Sequence, residues 1–126
     1  MILTYYSPII FLLNIIGSKD IKYSFLFIGL FGSSLLYHRN RSSIFLFWLD
    51  QFFILVTTLY GSSILLYKKI DINVRLILLL LFMINFTFYF YGYMYNCFCH
   101  DYELGYFFHM ILHYISSLGH LILSIY

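Results

Sequence analysis

Residues 44–67 read IFLFWLDQFFILVTTLYGSSILLY, a continuous apolar run in which Asp50 is the only charged side chain. A helix needs roughly 20 apolar residues, and about 17 at the least, to cross the hydrocarbon core of a bilayer. This run exceeds that length. It therefore predicts a transmembrane helix.

Four further apolar segments flank this run, two on each side, with polar turns between them. The predicted spans are about Leu3 to Gly17, Ile21 to His38, Ile44 to Tyr67, Val74 to Tyr95 and Leu104 to Ile125. Spans and tight turns account for almost all of the 126 residues. We therefore expect a single all-α membrane domain over residues 1–126, built as a bundle of five transmembrane helices.

Composition supports a membrane protein and excludes one class of partner. The chain is 63% hydrophobic and only 10% charged, with a mean hydropathy of +0.89. A soluble domain of this size exposes too much surface to carry so few charges. The net charge of +2 comes without a dense cluster of Lys and Arg, so we do not expect nucleic-acid binding.

Basic residues fall unequally on the two membrane faces that five spans define. They divide five to two, as Lys19, Lys22, Lys68, Lys69 and Arg75 against Arg39 and Arg41. Lys and Arg are enriched on the cytoplasmic side of membrane proteins. We therefore expect the N-terminus outside the cell or in a lumen and the C-terminus in the cytosol. In a eukaryotic cell, we expect a membrane of the endoplasmic reticulum or Golgi type.

Four ionisable side chains lie within the predicted spans, near the N-terminal face of the membrane. They are His38, Asp50, His109 and His113. Inserting an ionisable group into the membrane within a span costs at least ~2.5 kcal/mol of free energy. Each such residue therefore indicates a functional role unless a structural role accounts for it. Their common depth predicts a shared site.

The spacing of these residues favours a catalytic metal. His109 and His113 are four residues apart and stack on one helix face, and Ser34 and His38 share that spacing. Three neutral imidazoles that leave a fourth position for water form a known zinc arrangement. Asp50 would orient or deprotonate the water, or hold an imidazole in the correct tautomer. Ser34 would hydrogen-bond the oxyanion or the water.

These motifs resemble a known family. The runs Ser34-Leu35-Leu36-Tyr37-His38, Leu49-Asp50 and Phe108-His109-Met110-Ile111-Leu112-His113 are similar to the Ser-x-x-x-His, Asp and His-x-x-x-His signature of the CREST superfamily of membrane hydrolases. Within it, the alkaline ceramidases are the most similar branch. The resemblance implies a zinc ion held by His38, His109 and His113. It also implies that Ser34 and Asp50 support hydrolysis of ceramide, a membrane lipid, to a sphingoid base and a fatty acid.

The chain departs from that family in two respects. Family members generally have seven spans, whereas five are predicted here, so two helices that would wall the cavity are missing. A homo-oligomer could replace those walls. Met1 to Ser18 contain no carboxylate where the ceramidases carry calcium-binding acidic residues, so we do not expect calcium.

Two other functions stay open at this point. One is a non-catalytic small membrane protein that binds lipid or a partner helix, with His109 and His113 as interhelical hydrogen-bonding groups. The other is a CREST hydrolase or receptor that acts on a different lipid. Metal analysis distinguishes the zinc enzyme from the non-catalytic protein, and product analysis distinguishes a ceramidase from a CREST protein that acts on another lipid.

We expect the other notable polar residues of the spans and turns to have structural roles. We expect His120 to pack or to support the site, and Asn85 to donate an interhelical hydrogen bond. Cys97, Cys99 and His100 form a C-x-C-H run that is too weak a signal for a second metal site, and we expect it to be structural or incidental.

Overall fold

The computed structural model describes residues 7–94 and 103–126, and this part of the chain is helical and without strands. A single 3-10 turn at Ser7–Ile10 precedes the helices. They are α1 (Phe11–Gly17), α2 (Ile21–Arg39), α3 (Ile44–Tyr67), α4 (Ile72–Met94) and α5 (Glu103–Ile125). The all-helical prediction is thus confirmed for the described residues. The described parts of the second to fifth predicted spans are helical, whereas the first is a 3-10 turn and a seven-residue helix, and its residues 3–6, like residue 95 of the fourth, lie outside the described residues.

Three helical segments of the described chain are long and apolar enough to cross a membrane. They are Ile44–Tyr67, Ile72–Tyr91 and Phe107–Ile125, with 24, 20 and 19 residues. The segment Ser7–Gly17 is apolar but shorter. The two N-terminal spans therefore stay predictions from the sequence.

Polar side chains fix the starts of three helices. Asp20, Ser43 and Asp71 precede α2, α3 and α4, and each accepts a hydrogen bond from a backbone N–H group two or three residues further along. The distances are 2.9, 3.3 and 2.9 Å respectively. Such caps satisfy N–H groups that the first helical turn leaves unpaired. The turns predicted from polar residues therefore set where these helices begin.

The described core lies where α1 packs between α2 and α5. Phe11, Tyr23 and Phe27 are almost completely buried there, and α3 packs along the other side of α2. Gly29 permits this second contact, since a Cβ atom at that position would lie 2.1 Å from Cε1 of Phe53. The approach of α3 to α2 consequently depends on a residue without a side chain.

Consecutive helices α3 and α4 share very few contacts, whereas α4 packs closely on α5. Two cavities, of about 430 and 270 Å³, fill the space between α3, α4 and α5. The smaller one also reaches α1 and α2. This cleft contains the polar residues that the sequence singled out.

Candidate metal centre

Three imidazoles converge at one end of the bundle. His38 lies in the last turn of α2, and His109 and His113 project from successive turns of α5. One ring nitrogen from each comes within 4.8 Å of the other two. The His38 ring stands 4.8 Å from that of His109 and 5.7 Å from that of His113, measured between centroids. We call these three residues the His triad.

Two of the three imidazoles in the His triad lie at nearly the spacing of two ligands on one tetrahedral ion. Nε2 of His109 and Nε2 of His113 are 3.1 Å apart. Two nitrogens bound to one zinc ion at 2.0 to 2.1 Å with tetrahedral angles would be about 3.4 Å apart. A small separation of these rings therefore suffices to admit an ion. His38 and His113 are buried and His109 is half-buried, which leaves one open side for water or substrate.

Ser7 holds His113 in the orientation that metal binding requires. Its hydroxyl lies 2.7 Å from Nδ1 of His113, and Phe11 packs against the same ring at 5.1 Å between centroids. When Nδ1 carries the proton and donates it to this hydroxyl, the lone pair on Nε2 is available to a metal. Ser7 and Phe11 thus hold the ring in place, and the Ser7 hydroxyl pairs with Nδ1 in either tautomer, as acceptor or as donor.

His38 is held differently, by a cation. Nη2 of Arg41, in the turn after α2, donates a hydrogen bond to Nδ1 of His38 at 3.0 Å. Nδ1 acts there as an acceptor, so the proton of a neutral ring resides on Nε2. Coordination through Nε2 requires His38 to exchange this hydrogen bond and move its proton to Nδ1. Arg41 therefore competes with a metal ion for His38.

Asp50 is almost fully buried, with 3% of its surface exposed. Its Oδ1 accepts a hydrogen bond of 3.2 Å from the Ser33 hydroxyl, which also lies 3.1 Å from the carbonyl oxygen of Leu30. Ser33 and Asp50 belong to α2 and α3, so this bond ties the carboxylate to the neighbouring helix. It also leaves the second carboxylate oxygen available to a ligand.

The five predicted site residues line the smaller cavity together. Ser34, Asp50 and the His triad all belong to its wall. Ser34 is 1% exposed, and its Oγ has no hydrogen-bond partner within the described part of the chain. A buried hydroxyl without a partner is costly, and a ligand in the cavity would satisfy it.

Sequence reasoning missed Ser7, Ser33 and Arg41. Ser33 carries no spacing signal, because it is one residue away from the Ser34 and His38 stripe. Ser7 is 106 positions away from the imidazole that it contacts. Arg41 had signalled only the end of a span and the membrane orientation. Tertiary packing brings Ser7 to His113 and Ser33 to Asp50, whereas Arg41 contacts His38 from three positions along the chain.

Of the two residues with structural interpretations, His120 packs as expected and Asn85 does not make the bond expected of it. His120 packs against Phe27 and hydrogen-bonds Tyr23, deeper in the bundle than the His triad. Asn85 makes no interhelical hydrogen bond within the described chain; it lines both cavities. The expectation of such a bond for Asn85 is therefore wrong for these residues. Cys97, Cys99 and His100 lie outside the described residues.

Comparison of the chain with protein-family models, with curated proteins and with solved structures finds no match.

Proposed function

We propose that this protein is a zinc-dependent intramembrane amidase that hydrolyses ceramide-type N-acyl sphingolipids. The observation that carries the proposal is the convergence of three imidazoles on one cavity that Asp50 and Ser34 also line. The choice of ceramide comes from the resemblance of the motifs, and the apolar cleft between α3 and α4 is compatible with a lipid chain.

The proposal includes a membrane setting for this site. Five spans, with the N-terminus in the lumen or outside the cell, bring the His triad close to that face of the membrane. A lipid could enter sideways between α3 and α4, since these helices share few contacts. The two helices missing relative to the family make such lateral access wider.

In the proposed hydrolysis, the metal ion and the protein side chains make separate contributions. Zinc, when bound by His38, His109 and His113, supplies a Lewis acid that polarises the amide carbonyl and acidifies the attacking water. Asp50 accepts a proton from that water as its oxygen bonds to the amide carbon. Ser34 donates a hydrogen bond to the developing oxyanion. Asp50 then returns the proton to the amide nitrogen as the C–N bond breaks, which releases the sphingoid base and the fatty acid.

Metal analysis tests the first step of this proposal. We expect protein purified in detergent to hold about one zinc ion per chain, and the His109→Ala variant to lose it. Tyr114→Ala serves as the control, because this side chain lies on the same helix and is 46% exposed. Wild-type protein without stoichiometric zinc, or a His109→Ala variant that retains it, excludes the His triad as the zinc site.

Product analysis tests the chemistry. We expect the wild type to release fatty acid from ceramide, and Asp50→Asn to lower kcat about a hundredfold, since the variant removes the general base. Asp71→Asn, the same change at the exposed N-terminus of α4, should leave the rate unaltered. If ceramide yields no fatty acid but another acyl lipid does, the substrate assignment is wrong and the hydrolase assignment stands.

A further inference from the structure

Beyond the metal centre, the structure contains a polar constriction where the two cavities meet. Seven residues line both cavities, and all but Ile54 carry a hydrogen-bonding group. We call those six the polar neck: Gln51, Thr58, Asn85, Tyr89, Ser116 and His120. The larger cavity beyond the neck is lined mainly by Leu, Ile and Phe. A ligand that extends through both cavities would therefore meet polar groups halfway along an apolar path.

Two side chains at this level have hydrogen-bonding atoms that no described residue satisfies. Thr57, which lines the smaller cavity beside the neck, is 1% exposed, and its Oγ1 has no partner within the described chain. Oδ1 of Asn85 is likewise buried and unpaired among these residues. By contrast, the lipid-facing Thr87 donates to the carbonyl of Met83 at 2.8 Å. A buried acceptor with no partner indicates a ligand that supplies a donor.

The opposite wall of the neck is held rigid. Nδ1 of His120 lies 2.8 Å from the Tyr23 hydroxyl, and Tyr23 is completely buried. Gly61 makes room for this pair, since a Cβ atom there would lie 2.6 Å from Cε1 of His120 and 2.7 Å from the Tyr23 hydroxyl. Nε2 of His120 makes no hydrogen bond within the described chain, so it stays available to a ligand.

The distance from the metal centre to the neck restricts the ligand. Thr57 follows Asp50 by seven residues on α3, and His120 follows His113 by seven residues on α5. Seven residues of helix span about 10 Å. Two polar sites separated by this distance suit a chain molecule that carries one polar group at its end and a second one well along its length.

We propose that the polar neck binds a hydroxyl group in the middle of a hydrocarbon chain. The chain's acid or amide end would lie at the His triad, its hydroxyl would pair with Thr57, Asn85 and His120, and its tail would occupy the larger cavity. The position of the reacting end rests on the proposed function. The hydroxyl site rests on the unpaired atoms of Thr57, beside the neck, and of Asn85, within it.

Binding of matched fatty acids tests this proposal. A titration of the purified full chain in detergent, in competition with a fluorescent fatty acid, compares a mid-chain hydroxystearate with stearate. We expect about tenfold tighter binding of the hydroxylated acid, because its hydroxyl gains hydrogen bonds that stearate cannot make. Thr57→Val and Asn85→Leu should each reduce that preference without weakening stearate binding, because both replacements keep side-chain volume close to the original.

The control is Thr87→Val, which makes the same replacement on a lipid-facing side chain and should retain the preference. Repeating the comparison with both chains attached to a sphingoid base shows whether the neck binds the chain as a free acid or within an N-acyl lipid. Equal binding of hydroxylated and plain chains in both series overturns the proposal, as does a preference that survives both neck substitutions. The His109→Ala variant should retain the preference, so failure of the zinc proposal is distinguishable from failure of this one.

Discussion

At the scale of single residues, two imidazoles of the His triad differ in the group that their Nδ1 atom contacts. The Ser7 hydroxyl can accept the Nδ1 proton of His113 and so leave Nε2 to a metal ion. Arg41 instead donates to Nδ1 of His38, which must exchange this bond before its Nε2 can bind. We expect the affinity of the His triad for a metal ion to depend on both partners, since such hydrogen bonds orient the ligands and set their basicity.

Ser7 provides a direct test of this dependence. We expect Ser7→Ala to weaken zinc binding about tenfold, because His113 loses the hydroxyl that holds its ring and can accept its Nδ1 proton. Competition with a chelator measures the Kd. The control is Ser63→Ala, because within the described residues the Ser63 hydroxyl bonds the nearby backbone carbonyl of Tyr60 and does not reach the site. Unchanged affinity in Ser7→Ala, together with lost binding in His113→Ala, would show that Ser7 does not orient this ligand.

At the scale of helices, Asp20 links two elements near the face opposite the His triad. Its carboxylate caps α2 through the backbone N–H of Lys22 and also accepts a hydrogen bond from the Tyr60 hydroxyl of α3. The Tyr60 hydrogen bond lowers the pKa of the Asp20 carboxyl below its usual value. The ionised form of Asp20 therefore stabilises both the start of α2 and its packing on α3.

Stability measurements across pH test this role of Asp20. We expect Asp20→Ala to lower the free energy of unfolding by about 1 kcal/mol at neutral pH, as the loss of a cap does. Because the folded pKa is lowered, the contribution of the carboxylate is present above the unfolded pKa of about 3.9 and is lost as pH falls through the folded value. Wild type and variant should therefore approach each other in acid.

Asp71→Ala is the matched control for this measurement, because Asp71 caps α4 without a tyrosine partner among the described residues. We expect Asp71→Ala to lower the free energy of unfolding through the loss of a cap alone. A difference between wild type and Asp20→Ala that stays constant from neutral pH to acid would contradict the role of the ionised carboxylate.

At the scale of the whole molecule, five spans predict on which side of the membrane each turn lies. The turn before α2 should face the cytosol, and the turn after α2 should face the opposite side. We expect Lys19→Cys and Ser42→Cys to react with a membrane-impermeant thiol reagent from opposite sides of sealed vesicles. The variants would be made in a chain in which Cys97 and Cys99 are replaced by Ser. Labelling of both positions from one side would show that α2 does not cross.

Some features of the fold could be predicted from the sequence, because they depend on residues that are close together along the chain. The run at residues 44–67 became α3 with the same ends, and Ser43 caps it as its position before an apolar run suggests. The common depth of His38, His109 and His113 followed from their distance to the ends of their helices. Spacing along a helix predicted which residues share a face, but it did not predict the direction in which that face points.

Hydrophobic length, helix boundaries and the position of each ionisable residue along its helix are what the sequence determined by itself, because each follows from rise per residue and from local solvation. The tertiary structure decided how the helices rotate and which of them touch. This helix packing places the Ser7 hydroxyl against His113 and the Asp50 carboxylate against Ser33 rather than against an imidazole. It also leaves a cleft between α3 and α4. Such contacts depend on how side chains from distant segments pack together, and spacing along one helix carries no information about that packing.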